Sequence, residues 1–163
     1  MPVIDSIGKN DLTYDEEYAI RSYVSSESYK INDKLRNNIK LNEQDNILIK
    51  NLDSALEKCY NYNGLISRTL KIPENELEKY LNKNKIGDKV IYNEYLSFSN
   101  KAGYNNNANV IIYVNSSKGK DVIKYNPSES EIIYKRNSKF KVENMVRING
   151  VYYMEWSELN ENE

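Results

Sequence analysis

The chain reads as an α+β domain. Its N-terminal half carries apolar residues at helical spacing, its C-terminal half carries short β-branched runs, and the two are not interleaved as repeating βαβ units. In chain order, Thr13 with Glu16 three residues on forms a capping-box start, predicting a helix through Tyr18, Ala19 and Tyr23. Ser25-Ser26 predicts a short break before a second helix holding Tyr29, Ile31, Asn32, Leu35 and Arg36. Leu48, Leu52, Ala55, Leu56 and Cys59 then line one face of a third helix, which Gly64 closes off. Leu65–Leu70 is a short apolar strand, and Pro73 opens a further helix with Leu77, Tyr80 and Leu81. Strands are predicted at Val90–Phe98, Val110–Val114, Val122–Tyr125, Glu131–Tyr134, Phe140–Arg147 and Val151–Trp156. Asn149-Gly150 between the last two is a hairpin signal, and Asn105-Asn106-Asn107 reads as a mobile loop.

Composition narrows the chemistry. The 163 residues suffice for one domain with its own core, 1–163. A net charge of −1 with no basic block argues against a nucleic-acid partner. No apolar run approaches the roughly 18 residues of a membrane span, and no leader pattern is visible at Met1. With no histidine and one cysteine, Cys59, an internal disulfide is impossible and a zinc site is not expected. Proton transfer therefore falls mainly to carboxylates. The 15 tyrosines against 2 phenylalanines make Tyr the default core aromatic.

Three short stretches carry residues suited to chemistry. Glu129 and Glu131 stand two apart where a Pro/Ser loop enters a β-branched run, so on a strand they would address one face. Arg68 is the only charge in Ile66-Ser67-Arg68-Thr69-Leu70, and a guanidinium suits a diphosphate. Taken alone it reads as a surface residue of an edge strand. Ser97 and Ser99 flank Phe98, which places both hydroxyls on one side of a strand. Neither a G-x-G-x-x-G nor a Walker loop is present, so phosphates would be held by side chains.

In the order arginine, Ser-x-Ser, Glu-x-Glu, these stretches resemble the mono-ADP-ribosyltransferase toxins of that class. Tyr95-Leu96-Ser97-Phe98-Ser99 is similar to the family's aromatic-x-Ser-Thr-Ser strand. Glu129–Ile133 followed by Asn137-Ser138-Lys139-Phe140-Lys141-Val142 is similar to its Glu-x-Glu strand and continuation. Tyr29–Arg36 resembles the helix before the arginine strand, and the likeness spans about residues 12–156, closest to the catalytic domain of clostridial-type actin-modifying binary toxins. The resemblance implies N-terminal helices packed on a two-sheet mixed β core. It implies NAD as substrate, cleavage of the nicotinamide–ribose bond, and transfer of ADP-ribose to a protein, at arginine, with actin or another host protein as acceptor.

The resemblance also assigns roles. Glu131 would bind the nicotinamide ribose and stabilise the sugar cation, Glu129 would serve the acceptor, and Ser97 would hold Glu131. Arg68, Asn32, Arg36 and Tyr29 would contact the nucleotide, with Tyr23 from the preceding helix, Ser99 supporting the pocket and Tyr104 stacking on nicotinamide. Phe98 replaces a small polar residue, and Tyr134–Asn137 is more basic than the family's turn, where the acceptor would be recognised. Binary toxins carry a second, inactive copy of the fold, for which this chain is too short, so transport is expected to differ. A monomer, delivered into a target cell or acting in its own host, is expected; the alternative is a non-catalytic binding domain of the same fold.

Overall fold

The structure is a computed structural model that describes residues 11–101 and 107–163. Helix α1 (Tyr14–Ser22), a wide helical turn (Tyr23–Glu27) and α2 (Ser28–Arg36) form one continuous run. Helix α3 (Glu43–Lys58) follows, then β1 (Gly64–Leu70), α4 (Glu74–Asn82), β2 (Lys89–Tyr92), β3 (Leu96–Ser99), β4 (Val110–Ser116), β5 (Lys120–Asp121), β6 (Glu131–Tyr134), β7 (Ser138–Ile148) and β8 (Val151–Glu158). The predicted capping box is present: Thr13 Oγ1 accepts from Glu16 N at 3.1 Å and Glu16 Oε1 accepts from Thr13 N at 2.8 Å. Helix α3 has one too, built by Asn42 and Asp45, which the periodicity alone did not reveal.

Three predicted boundaries differ. Ser25-Ser26 does not break the helix; the chain widens into a π turn there instead, which leaves the helical run intact. Val90–Phe98 divides into β2 and β3, because Tyr95 N donates to the Asn32 side chain at 3.1 Å instead of to a ladder. Val122–Tyr125 is a single 3₁₀ turn and not a strand, since Asp121 Oδ1 captures Ile123 N at 3.0 Å and curls the chain.

Among the described residues eight strands lie in the order β2-β7-β8-β4-β1-β3-β6-β5, with β4 and β8 parallel. The two layers of the predicted core are one hydrogen-bonded sheet folded over on itself. Its halves meet at β1 and β3, registered through Ser67 and Ser99. Phe98, Tyr134, Phe140 and Trp156 show the fold-over as a chain of ring contacts 4.9–5.3 Å apart that links β3 and β6 to β7 and β8. These rings, with Ile66, Ile112, Ile132 and Val142, fill the inner core. The outer face of β3 and β6, bearing Tyr95 and Ile133, is covered by α1, α2 and α3 through Ile20, Tyr23, Ile31, Leu52 and Leu56. The polar residues of that same outer face form the site.

Candidate active site

Alternation along β3 sends Leu96 and Phe98 inward and leaves Ser97 and Ser99 half-buried on the helix side. Glu131 opens β6 directly opposite Ser99, so its side chain joins the two hydroxyls. It is 6% exposed. Glu129 is not on the strand as the sequence suggested. It lies in the preceding turn, because Ser130 takes a left-handed φ of 45° that reverses the chain before β6 begins. The two acids are brought together by Asn126, whose Nδ2 donates to Glu129 Oε2 at 2.9 Å and to Glu131 Oε1 at 2.8 Å.

Behind Glu131 runs a directional chain of hydrogen bonds. Tyr95 N binds Asn32 Oδ1, which orients the amide so that Asn32 Nδ2 donates to Tyr23 Oη at 2.9 Å. Tyr23 Oη lies 3.0 Å from Ser97 Oγ, and Ser97 bonds to Glu131. Since Ser97 gives its proton to the carboxylate, Tyr23 gives its own to Ser97. Asn32 follows Tyr23 by nine residues, about half a turn out of phase on an uninterrupted helix of 3.6 residues per turn. The wide turn at Tyr23–Glu27 reduces that offset and lets the two side chains meet.

Burial sets the electrostatics. Desolvation pushes the Glu131 carboxyl above the ordinary carboxylate range, and the nearby Glu129 charge adds to this. Bonds from Asn126 and Ser97, and the positive charge of Arg68, pull it back. Burial also raises the Tyr23 phenol, so it stays protonated as a donor. The result is one enclosed, hydrogen-bonded carboxylate beside an exposed one, a pair able to stabilise a cation and accept a proton.

The remaining predicted residues divide between this pocket and a neighbouring cleft. Arg68 leaves β1 opposite Ile112, between Ile66 and Leu70, and its Nη1 donates to the Ser97 carbonyl at 3.0 Å. Arg68 and Arg36 line a cleft of about 670 Å³ with Glu94, Tyr80, Tyr92 and Trp156. Arg36 Nε is tied to Glu94 at 2.7 Å, and Glu94 is itself buried. Two guanidinium groups in one cleft fit a diphosphate. Asn32 is committed to Tyr95 and Tyr23. Ser99 Oγ donates to the Glu129 carbonyl at 2.6 Å, so it anchors the acid turn. Tyr29 is 82% exposed, and Tyr104 lies outside the described residues. The turn after Tyr134 sits at the far end of β6 from Glu131, about 10 Å away at strand rise. There Lys135 and Arg136 pair with Glu57 and Asp53 of α3, so the acid pair is bordered instead by residues 126–130. Sequence reasoning missed Asn126 and Glu94. The local signals that could have pointed to them are a carboxylate inside the β-forming run Val90–Phe98 for Glu94, and a turn-forming Asn just before Pro127 for Asn126.

Known proteins are similar to this chain in sequence and in fold. The chain is 28% identical over 149 residues to the NAD(+)–protein-arginine ADP-ribosyltransferase Tre1 of Serratia proteamaculans, covering 91% of this chain and 33% of that protein. It thus spans about a third of the length of this curated relative. The Vis toxin, an ADP-ribosyltransferase from Vibrio splendidus, superposes with a TM-score of 0.75 at 19% identity over 96% of this chain and 79% of its own. The enzymatic component C2-I of the C2 toxin from Clostridium botulinum superposes with a TM-score of 0.72 at 18% identity, over 96% and 46%. At those identities the two structures establish the fold. The family follows from the sequence itself, which matches the model of the ADP-ribosyltransferase exoenzymes over residues 5–161, so the chain belongs to that family.

Proposed function

We propose that the chain is an NAD-dependent mono-ADP-ribosyltransferase that modifies a protein at arginine. The observation that carries this is the buried Glu131, hydrogen-bonded to Ser97 and Asn126, with the exposed Glu129 bridged to it. The cleft holding Arg36 and Arg68 supplies cations for the pyrophosphate of NAD. In the reaction, the nicotinamide–ribose bond breaks and its electron pair goes to the nicotinamide nitrogen. That nitrogen becomes neutral and needs no general acid. Positive charge builds on the ribose, where the Glu131 carboxylate stabilises it, as in glycoside hydrolysis. A guanidino nitrogen of the acceptor then forms the bond to the anomeric carbon and gives its proton to Glu129. Without an acceptor, water takes the sugar and NAD is hydrolysed.

Arginine as acceptor is supported by the activity named for the Serratia relative. Actin is the acceptor the binary-toxin resemblance suggests, with a monomeric enzyme, 1–163 as its catalytic domain, delivered into a target cell. The test is incubation with labelled NAD, with and without a cell lysate, measuring nicotinamide release and mapping modified residues by mass spectrometry. Nicotinamide release abolished in Glu131→Gln and ADP-ribose on arginine are expected. Unchanged release in Glu131→Gln would sink the assignment, and modification confined to another residue type would overturn the acceptor.

A further inference from the structure

Asn126 occupies a position that neither charge pattern nor strand alternation marks, yet it touches both acids. A primary amide has two N–H groups, and both are used here, one on each carboxylate. Its orientation is settled chemically. Asn126 Oδ1 accepts from Ser128 Oγ at 3.2 Å, and a flipped amide would present its oxygen to two carboxylates.

The loop around it is braced. Asn126 N donates to Ile123 O at 3.0 Å, Glu129 N to Asn126 O at 3.2 Å, and Ser130 N to Pro127 O at 3.2 Å. Pro127 further restricts the Asn126 backbone. From the β3 side, Asn100 N donates to Ser130 O at 3.2 Å and Lys101 Nζ to Ser128 O at 2.6 Å. Glu129 is exposed and its side chain accepts from this amide, so without the amide it is expected to turn to water. Two like charges held this near each other repel, and a shared donor between them offsets that repulsion.

Resting on the transferase reading above, the geometry points to Asn126 as the positioning residue that clips Glu129 to Glu131, keeping Glu131 ionised for the ribose and Glu129 aimed at the acceptor. Acceptor transfer therefore depends on Asn126 more strongly than NAD hydrolysis does. The experiment compares wild type with Asn126→Ala and the near-isosteric Asn126→Asp, each checked for folding by circular dichroism. Two readouts are taken: steady-state NAD hydrolysis and transfer to agmatine across pH, and the carboxyl titration of Glu131 by ¹³C NMR. In Asn126→Ala the acidic limb of the hydrolysis profile moves to higher pH, because Glu131 has lost a donor that favoured its anion. Transfer falls about tenfold relative to hydrolysis, the scale expected for a lost bond to a charged group, while KM for NAD holds. In Asn126→Asp a third carboxylate moves the limb the same way. An unmoved Glu131 titration in both variants, or equal loss of transfer and hydrolysis, would overturn the proposal. A wild type that releases no nicotinamide refutes the transferase reading instead, and the NMR titration still decides the clip.

Discussion

Glu131 pays for its place in the site. A carboxylate at 6% exposure with a raised pKa is stabilised by protonation, so its contribution to folding is most favourable in acid and is lost as pH rises through its folded value. Glu131→Gln removes that penalty. Melting curves are expected to show the variant above wild type at pH 8, with the gap closing toward pH 4; a constant gap would contradict the burial argument. The same variant should release nicotinamide at least about 10²–10³-fold more slowly, the range for losing one electrostatic stabiliser of a transition state. Tyr23→Phe deletes one oxygen that serves both Asn32 and Ser97. It is expected to cost about 1–2 kcal/mol in stability, read by urea unfolding, and about tenfold in kcat. Wild-type turnover in Tyr23→Phe would show that the hydrogen-bond chain does not support Glu131.

Helix α1 docks on α3 through a polar knot rather than by apolar packing alone. Burial works against Glu16, but bonds from Lys58, Ser54 and Thr13 overcome it and bring the carboxyl down to about 2. Lys58 Nζ lies 2.8 Å from Glu16 Oε1, and the Ser54 hydroxyl also donates to Glu16. A depressed carboxyl contributes stability above its unfolded value, near 4.5, and loses it as pH falls toward 2. Thermal melts of wild type should therefore steepen between those limits, and Glu16→Gln should flatten that slope; identical slopes would refute the knot's role. Because α1 carries the run that delivers Tyr23, loosening this contact also disturbs the site. The capping box was legible in the sequence because it is local, Thr13 to Glu16. Its bonds to Ser54 and Lys58 were not, since they join residues 38 and 42 positions apart.

At the scale of the molecule, the folded-over sheet positions the acids by bringing β6 beside β3. On the other side of β6, Gly119 permits the close approach of the turn between β4 and β5. A Cβ there would meet Ile132 Cγ2 at 2.5 Å and Ser116 Oγ at 2.9 Å, and Ile132 is the residue after Glu131. Gly119→Ala is expected to destabilise by about 1–3 kcal/mol in chemical denaturation, with a larger fractional loss of activity than of stability at 25 °C. An unaltered unfolding midpoint would show that the strands yield without strain.

The amino-acid sequence by itself determined the class of the fold, helices before strands, because periodicity is a local property of side-chain order. It also supplied Arg68, Ser97, Ser99, Glu129 and Glu131 as an ordered set whose resemblance named the family. Tertiary structure decided which of them touch. It placed Glu129 in a turn through the left-handed Ser130, recruited Asn126 between the acids, and bonded Asn32 to Tyr23 and to the backbone of Tyr95. Those outcomes depend on hydrogen bonds that form only once α1, α2, β3 and β6 pack together. A side chain's partners across such a junction are set by distance in space, which residue order does not record.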